Sequence, residues 1–397
     1  MKRGFNLKAN NSKTNKVLNR NFILKMFILN SPVSRIQLSK YSGLSKMSLT
    51  NIISEFSEKG YIKETGVDSS ATGKRKPILL ELADGCVCAI GISITRNYIE
   101  GCLADIKGNM MYSRRVELSN DTTAEKITTI LGDLISSIRN MCQTEVIGVG
   151  VSAMGPVDME NGRILLPTHF YGIENYDVVK EVKKFTDLPV YLYKNTNCAA
   201  LAEKYYGAGR KNQNFVYIGV SKGLGASAVI NDNLVLGTNG YSCELGHITV
   251  NPDGERCACG NKGCLEIYTN IVSMVERVEK EVEKGTETLL KSPVTFESIV
   301  DGARKGDELC SKTLDELCKY LAIGVTNAIN VYDPAIVILG NDIAMGGEEI
   351  ISRLKNNVGT TPIGAKHNTV EIMMSKFYDK APLLGAATVV FDKLMFA

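Results

Sequence analysis

Three cysteines and a histidine crowd one short stretch of the chain, ELGHITVNPDGERCACGNKGCLE, from Glu244 to Glu266. The chain has only three histidines and eleven cysteines among 397 residues, so this is a concentration of metal-ligating groups. His247, Cys257, Cys259 and Cys264 offer one imidazole and three thiolates, a set that closes a tetrahedral zinc site and leaves no position for substrate. Thiolates favour Zn2+ over Mg2+ or Ca2+. The expected cofactor is therefore a structural zinc ion with these four residues as its ligands. A Cys-x-Cys pair alone signals little. The histidine, the third cysteine, and Gly254, Gly260 and Gly263, which let the loop turn tightly, make the pattern specific. Cys86, Cys88, Cys102, Cys142, Cys198, Cys310 and Cys318 stand singly in apolar surroundings and read as reduced, packed thiols.

Such a loop needs a rigid body behind it. The chain is 44% hydrophobic and 22% charged, which suits a globular fold of two or three domains with a sizeable core. CVCAIGISITRNYIEGCLADIKGNMMYSRRVEL reads as three consecutive strands, and FVYIGVSKGLGASAVINDNLVLG repeats the strand–turn–strand pattern. EVIGVGVSAMGPVD reads as a buried strand leading into a Gly-Pro turn. Helices follow at SMVERVEKEVEKG and CSKTLDELCKYLAIGVTNAINVY, then a buried strand at AIVILG. Two similar halves predict an α/β body with two lobes and a cleft between them. No apolar run reaches the roughly 18 residues of a membrane span. The apolar segment NFILKMFIL is short, broken by Lys25, and followed by no small-residue cleavage site, so no membrane association and a cytoplasmic location are expected.

The first part of the chain has a different character. Residues 1–76 carry 15 Lys/Arg against 4 Asp/Glu, a net of +11, while the remainder carries 31 against 39, a net of −8. A basic head on an acidic body suggests that the head alone meets a polyanion. Ser34 with Gln37 predicts a capping box opening a short helix, Gly43 permits a tight turn, and Ser45 caps a second helix. Leu49, Ile52, Ile53 and Phe56 place one face of that helix in a core, and Gly60 stops it. With a preceding helix at LNRNFILKMFIL this makes three helices. Strands at YIKETG and KPILLEL around VDSSATGKRK complete a winged helix-turn-helix. The expected DNA-contacting residues are Arg35, Ser45, Lys46, Ser48, Thr50 and Asn51 on the helices and Lys74, Arg75 and Lys76 on the wing. The recognition helix would enter the major groove of double-stranded operator DNA while the wing holds phosphates.

With these motifs in place, the chain resembles the ROK family (repressors, open reading frames and sugar kinases), and within it the repressor branch. The head, the wing return TGKRKPILLEL, and the body motifs GVGVSAMGPVD, NTNCAALAEKYYGAGR and GHITVNPDGERCACGNKGCLEIY carry the resemblance. It implies an actin-like body of the sugar kinase/Hsp70 type behind an N-terminal winged helix-turn-helix domain. The implied division is 1–82 for the head, 84–195 for the first lobe joined by 380–397, and 196–379 for the second lobe with the zinc loop. It also implies that Glu244, His247 and Glu266 face sugar hydroxyls, together with Asn195 and His169. His169 aligns where kinases of the family often have Asn.

The kinase motifs themselves are altered. Where active members open with Asp-x-Gly-Gly-Thr-Lys this chain has SITRNY, Ser93 to Tyr98, with neither the acid nor the glycines. Where they have Glu-Asn-Asp it has YKN, which places Asn195 at the catalytic acid, and an amide cannot serve as a base. VSKGLGASA inserts Lys222 in the second phosphate loop, and LGND replaces paired glycines. The implied function is a non-enzymatic, sugar-responsive repressor of carbohydrate-utilisation genes, with a pentose such as xylose as first effector to test. A homodimer or homotetramer would place recognition helices on half-sites about 34 Å apart. An active sugar kinase with a DNA-binding head, an activator, and a ligand-free body used for dimerisation stay open at this stage.

Overall fold

The head condenses around the apolar face of its recognition helix. In the computed structural model, residues 12–69, 76–167, 170–358 and 370–396 are described. α1 (Ser12–Asn30) leads through a two-residue strand β1 (Val33–Ser34) into α2 (Arg35–Ser42) and α3 (Lys46–Glu58), followed by the hairpin strands β2 (Ile62–Val67) and β3 (Ile78–Leu82). Ser34 Oγ accepts the Gln37 N–H at 3.3 Å, and Gln37 Oε1 accepts the Ser34 N–H at 2.8 Å, so the predicted capping box is formed. Gly43 adopts a left-handed φ of 65°, and the chain turns at once into Ser45, the N-cap of α3. Leu49, Ile52, Ile53 and Phe56 are buried in one core with Ile23, Leu24 and Phe27 of α1. Two details depart from expectation. α1 begins at Ser12 instead of Leu18, and β1 adds a third strand by pairing Val33 with Leu80. A strand of two residues is too short to show alternation in sequence.

The body holds two five-stranded sheets. The first is made by β4 (Cys88–Ile94), β5 (Tyr98–Asp105), β6 (Met110–Glu117), then α4 (Ala124–Met141) and β7 (Val146–Ala153). A small hairpin of β8 (Val157–Asp158) and β9 (Arg163–Ile164), α5 (Val178–Val182) and β10 (Val190–Lys194) follow. The strand order is β10-β7-β4-β5-β6. β4–β6 form an antiparallel meander, and β7 and β10 add parallel strands, β7 beside β4 and β10 beyond it.

After α6 (Asn195–Tyr206), the second sheet repeats this plan. It contains β11 (Phe215–Val220), β12 (Leu224–Ile230) and β13 (Asn233–Leu234), then α7 (Leu265–Thr269), α8 (Ile271–Glu283), α9 (Phe296–Arg304) and α10 (Glu308–Tyr332). β14 (Ile336–Gly340), α11 (Gly347–Asn357) and β15 (Glu371–Met374) close it. The order is β13-β12-β11-β14-β15, again a meander followed by parallel strands.

Two helices cross between the sheets, α6 and the C-terminal helix α12 (Ala381–Phe391). They approach at backbone distance: a Cβ built on Gly385 would stand 1.8 Å from Cys198 O, so only glycine fits. α12 is buried along its whole length and packs on β4 and β7 of the first sheet.

The head is seated on this crossing pair. One continuous apolar cluster includes Phe27, Ile53 and Leu80 of the head together with Leu201, Tyr205, Phe391 and Phe396 of the body. Arg210, just past α6, donates from Nη2 to Ile28 O at 2.5 Å, placing a cation at the C-terminal end of α1. Asp84 ties the hairpin to the body: its carboxylate takes the Lys63 ammonium at 2.7 Å and also the ammonium of Lys107. Among the described residues no helix is long and apolar enough to cross a membrane.

Candidate functional site

The loop after β13 folds back on itself through Gly263, whose φ of 59° lets its N–H reach Glu255 O at 2.8 Å. That return brings His247, Cys257, Cys259 and Cys264 together, with their ligand atoms all within 4.8 Å of one another. His247 Nδ1 lies 3.8 Å from Cys257 Sγ, and Cys259 Sγ lies 3.7 Å from Cys264 Sγ. Cys264 is fully buried. Burial, and then the neighbouring Cys259 and Cys257 thiols, push its pKa up to about 12. A cation among these thiols favours their ionised, ligating form. The four predicted ligands therefore fit a metal ion, and their chemistry is that of a closed Cys3His site.

The loop that carries this Cys3His cluster is tied to the end of β10. Asn195 opens α6, and its Oδ1 accepts the Thr196 N–H at 2.8 Å, leaving its amide N–H groups without partners among the described residues. Thr196 is 5% exposed, and its hydroxyl has no partner among the described residues. Its methyl lies against Gly225, where a Cβ would stand 2.8 Å away. The adjacent Leu224 N–H donates to Glu266 Oε2 at 3.1 Å. Glu244 Oε1 accepts from Lys194 Nζ at 2.9 Å. Asn195, Glu244 and Glu266 are thus linked around the N-terminus of α6, His247 turns its ring to Cys257 in the Cys3His cluster, and His169 lies outside the described residues. Lys194 is the residue that sequence reasoning passed over. It stands in YKN, a buried lysine at the end of β10 directly before Asn195.

The expected DNA face is exposed throughout its described part. Arg35, Ser45, Lys46, Ser48, Thr50, Asn51 and Lys76 are all exposed, and Lys74 and Arg75 lie outside the described residues. Ser45 Oγ caps α3 by accepting the Ser48 N–H at 3.2 Å, and Thr50 donates its hydroxyl back to Lys46 O at 2.8 Å. The proton of Thr50 is thereby committed to the helix. Lys46 and Asn51 keep their side-chain donors for a partner.

The ROK family profile matches residues 89–393. The chain belongs to the ROK family. Among its ROK relatives is a xylose repressor of Caldicellulosiruptor bescii, 30% identical over 390 residues that span 96% of this chain and 97% of that one. A solved ROK family transcriptional regulator, a homolog of the Escherichia coli MLC protein, matches with a TM-score of 0.76 at 26% identity, over 96% of this chain and 98% of its own. A ROK family glucokinase from Streptomyces griseus, solved with glucose and AMPPNP, matches with a TM-score of 0.68 at 24% identity, over 76% of this chain and 98% of the kinase. That likeness shows the actin-like, two-lobed fold that the family resemblance implied.

The stretch from Ser93 to Tyr98 is closed on itself by hydrogen bonds. Thr95 Oγ1 accepts the N–H groups of Tyr98 at 3.0 Å and Asn97 at 3.3 Å, and donates to Tyr98 O at 2.8 Å. Tyr98 is covered by the Arg115 guanidinium, 3.7 Å from its ring centre. Arg115 is in turn held by Glu100 at 2.8 Å and Asp379 at 3.0 Å, and Lys380 reaches both oxygens of Glu100 at 2.7 and 2.8 Å. At the second loop, Ser221 bonds the Asp342 carboxylate, whose pKa burial raises. Sequence reasoning recognised the lost glycines but not this ion cluster, because Glu100, Arg115 and Lys380 meet only through the fold.

Proposed function

We propose that the protein is a sugar-responsive, DNA-binding transcriptional repressor whose ROK body binds an effector and does not transfer phosphate. The observation that carries this reading is the end-to-end likeness to a xylose repressor, head and body together, at 30% identity over 96% of the chain. The loss of catalysis is supported by geometry. A phosphate cradle needs free backbone N–H groups, and Thr95 has consumed those of Asn97 and Tyr98. The general base is replaced by Asn195, which holds no proton-accepting carboxylate. His247, Cys257, Cys259 and Cys264 hold a structural zinc ion in this reading, fixing the loop that presents Glu244 and Glu266. The working units are 1–82, 84–195 with 380–397, and 196–379, and the assembly is a homodimer or homotetramer on double-stranded operator DNA.

The route from effector to DNA runs along α6. Its twelve residues span about 18 Å. Asn195 sits at the cleft end, and Tyr205 at the other end packs on Phe396 with ring centres 4.8 Å apart. Arg210 just beyond holds the last turn of α1. A ligand that favours one angle between the sheets shifts α6 and α12, and the head seated on them follows. The ligand acts only through its differential affinity for the two arrangements.

Binding of the full-length protein to the DNA upstream of its own gene, with and without xylose, glucose and N-acetylglucosamine, tests the reading. Specific binding that one sugar weakens is the expected result. Asn51→Ala should cost about 1–3 kcal/mol of specific affinity, and Lys46→Ala should lower the salt slope by about 1. Sugar-dependent ATP turnover at ordinary kinase rates would establish the enzyme instead.

A further inference from the structure

We propose that Lys194 is a positioning and specificity-determining residue of the cleft, which through its pair with Glu244 restricts the effector to an uncharged sugar. This rests on the sugar-responsive reading above and deepens it. Lys194 ends β10 in the first sheet, whereas Ser242 and Glu244 follow β13 of the second, so the contact spans the two lobes. Its ammonium donates to Ser242 O and to Glu244 Oε1, both at 2.9 Å. The lysine side chain is 5% exposed and that of Glu244 is 33% exposed. A cation buried this deeply requires such partners. Its stem lies over Gly155, where a Cβ would stand 3.1 Å from Lys194 Cδ, so the glycine makes room for the lysine to cross.

The pair fixes what remains for a ligand. Glu244 keeps Oε2 and Glu266 keeps Oε1 without partners among the described residues. Asn195 keeps its amide N–H groups without partners among the described residues. These are acceptors and donors suited to hydroxyl groups, which are both. The Lys194 ammonium is already neutralised by Glu244. A phosphate or carboxylate on the ligand would face two carboxylates at this end with no freed positive charge to balance it.

Isothermal titration of the full-length protein tests the proposal. The neutral ligands are xylose, glucose and N-acetylglucosamine, and the anionic ones are glucose 6-phosphate, N-acetylglucosamine 6-phosphate and glucuronate. A neutral sugar should bind the native protein at least tenfold more tightly than the anionic ligands. Glu244→Gln releases the ammonium and should reduce that preference at least tenfold. Lys194→Met should weaken the neutral sugar at least tenfold, and Lys194→Arg should recover most of the loss. A purely structural lysine would change the melting temperature and leave the neutral-to-anionic ratio where it was. An anionic ligand preferred by the native protein, an unchanged ratio in Glu244→Gln, or native affinity in Lys194→Met each overturns the proposal while leaving the sugar-responsive reading standing. If neither class binds the native protein, that reading falls, and this one with it.

Discussion

Two loops of the body are finished in opposite ways. From His247 to Cys264 the chain turns four ligand atoms toward a common centre, within 4.8 Å of one another. From Thr95 to Tyr98 it turns its polar atoms in on itself, one hydroxyl occupying two N–H groups. A metal site is useful only while its donor set is complete, so it survives whole or not at all. A phosphate cradle, built of unoccupied backbone groups, is closed by a single well-placed side chain. One loop keeps a complete metal-type donor set, and the other spends its hydroxyl on internal hydrogen bonds.

The largest effect should come from the loop that survives whole. Cys264→Ser should cost about 4 kcal/mol and abolish stoichiometric metal, measured by calorimetry and elemental analysis. Full metal retention in that variant would break the contrast. Beside the other loop, Glu100→Ala should cost about 3 kcal/mol in urea unfolding, because Arg115 and Lys380 lose a buried partner. Thr95→Ala should cost about 1 kcal/mol and release the N–H groups of Asn97 and Tyr98. It should still leave AMPPNP weaker than about 1 mM by titration, since Tyr98, Arg115 and the Asp342 carboxylate continue to fill the space. Nucleotide binding restored by that one change would reduce the closure of the loop to a single hydroxyl.

The smallest effect lies away from both loops. Lys107 and then Lys63 hold the Asp84 pKa at about 2, below its ordinary 3.8. A depressed carboxylate stabilises above its unfolded value and loses that contribution as pH falls through its folded one. Asp84→Asn should therefore flatten the stability profile between pH 4 and 2, by less than about 1 kcal/mol because the pair is largely exposed.

The sequence made the head and the Cys3His loop legible because their signals are local. Ser34 and Gln37 are three residues apart, Leu49 to Phe56 share one helical face, and the four metal ligands lie in one loop. Lys194 with Glu244, and Glu100 with Lys380, are separated by 50 and 280 positions and become neighbours only when strands from distant segments align. The doubled meander was visible as a repeated strand–turn–strand pattern, but the crossing of α6 and α12 was not. Its determinant is a backbone approach at Gly385 that no hydrophobic period records.

The bond from Arg210 to Ile28, and the apolar cluster that runs without a break from Phe27 to Phe396, bear on how such chains can be recombined. A DNA-reading module grafted from another regulator would have to supply a matching first helix, with apolar residues opposite Leu201 and Tyr205 and open carbonyls opposite Arg210. Without that interface a chimera would read DNA with one half and sense ligand with the other, and the two halves would not communicate.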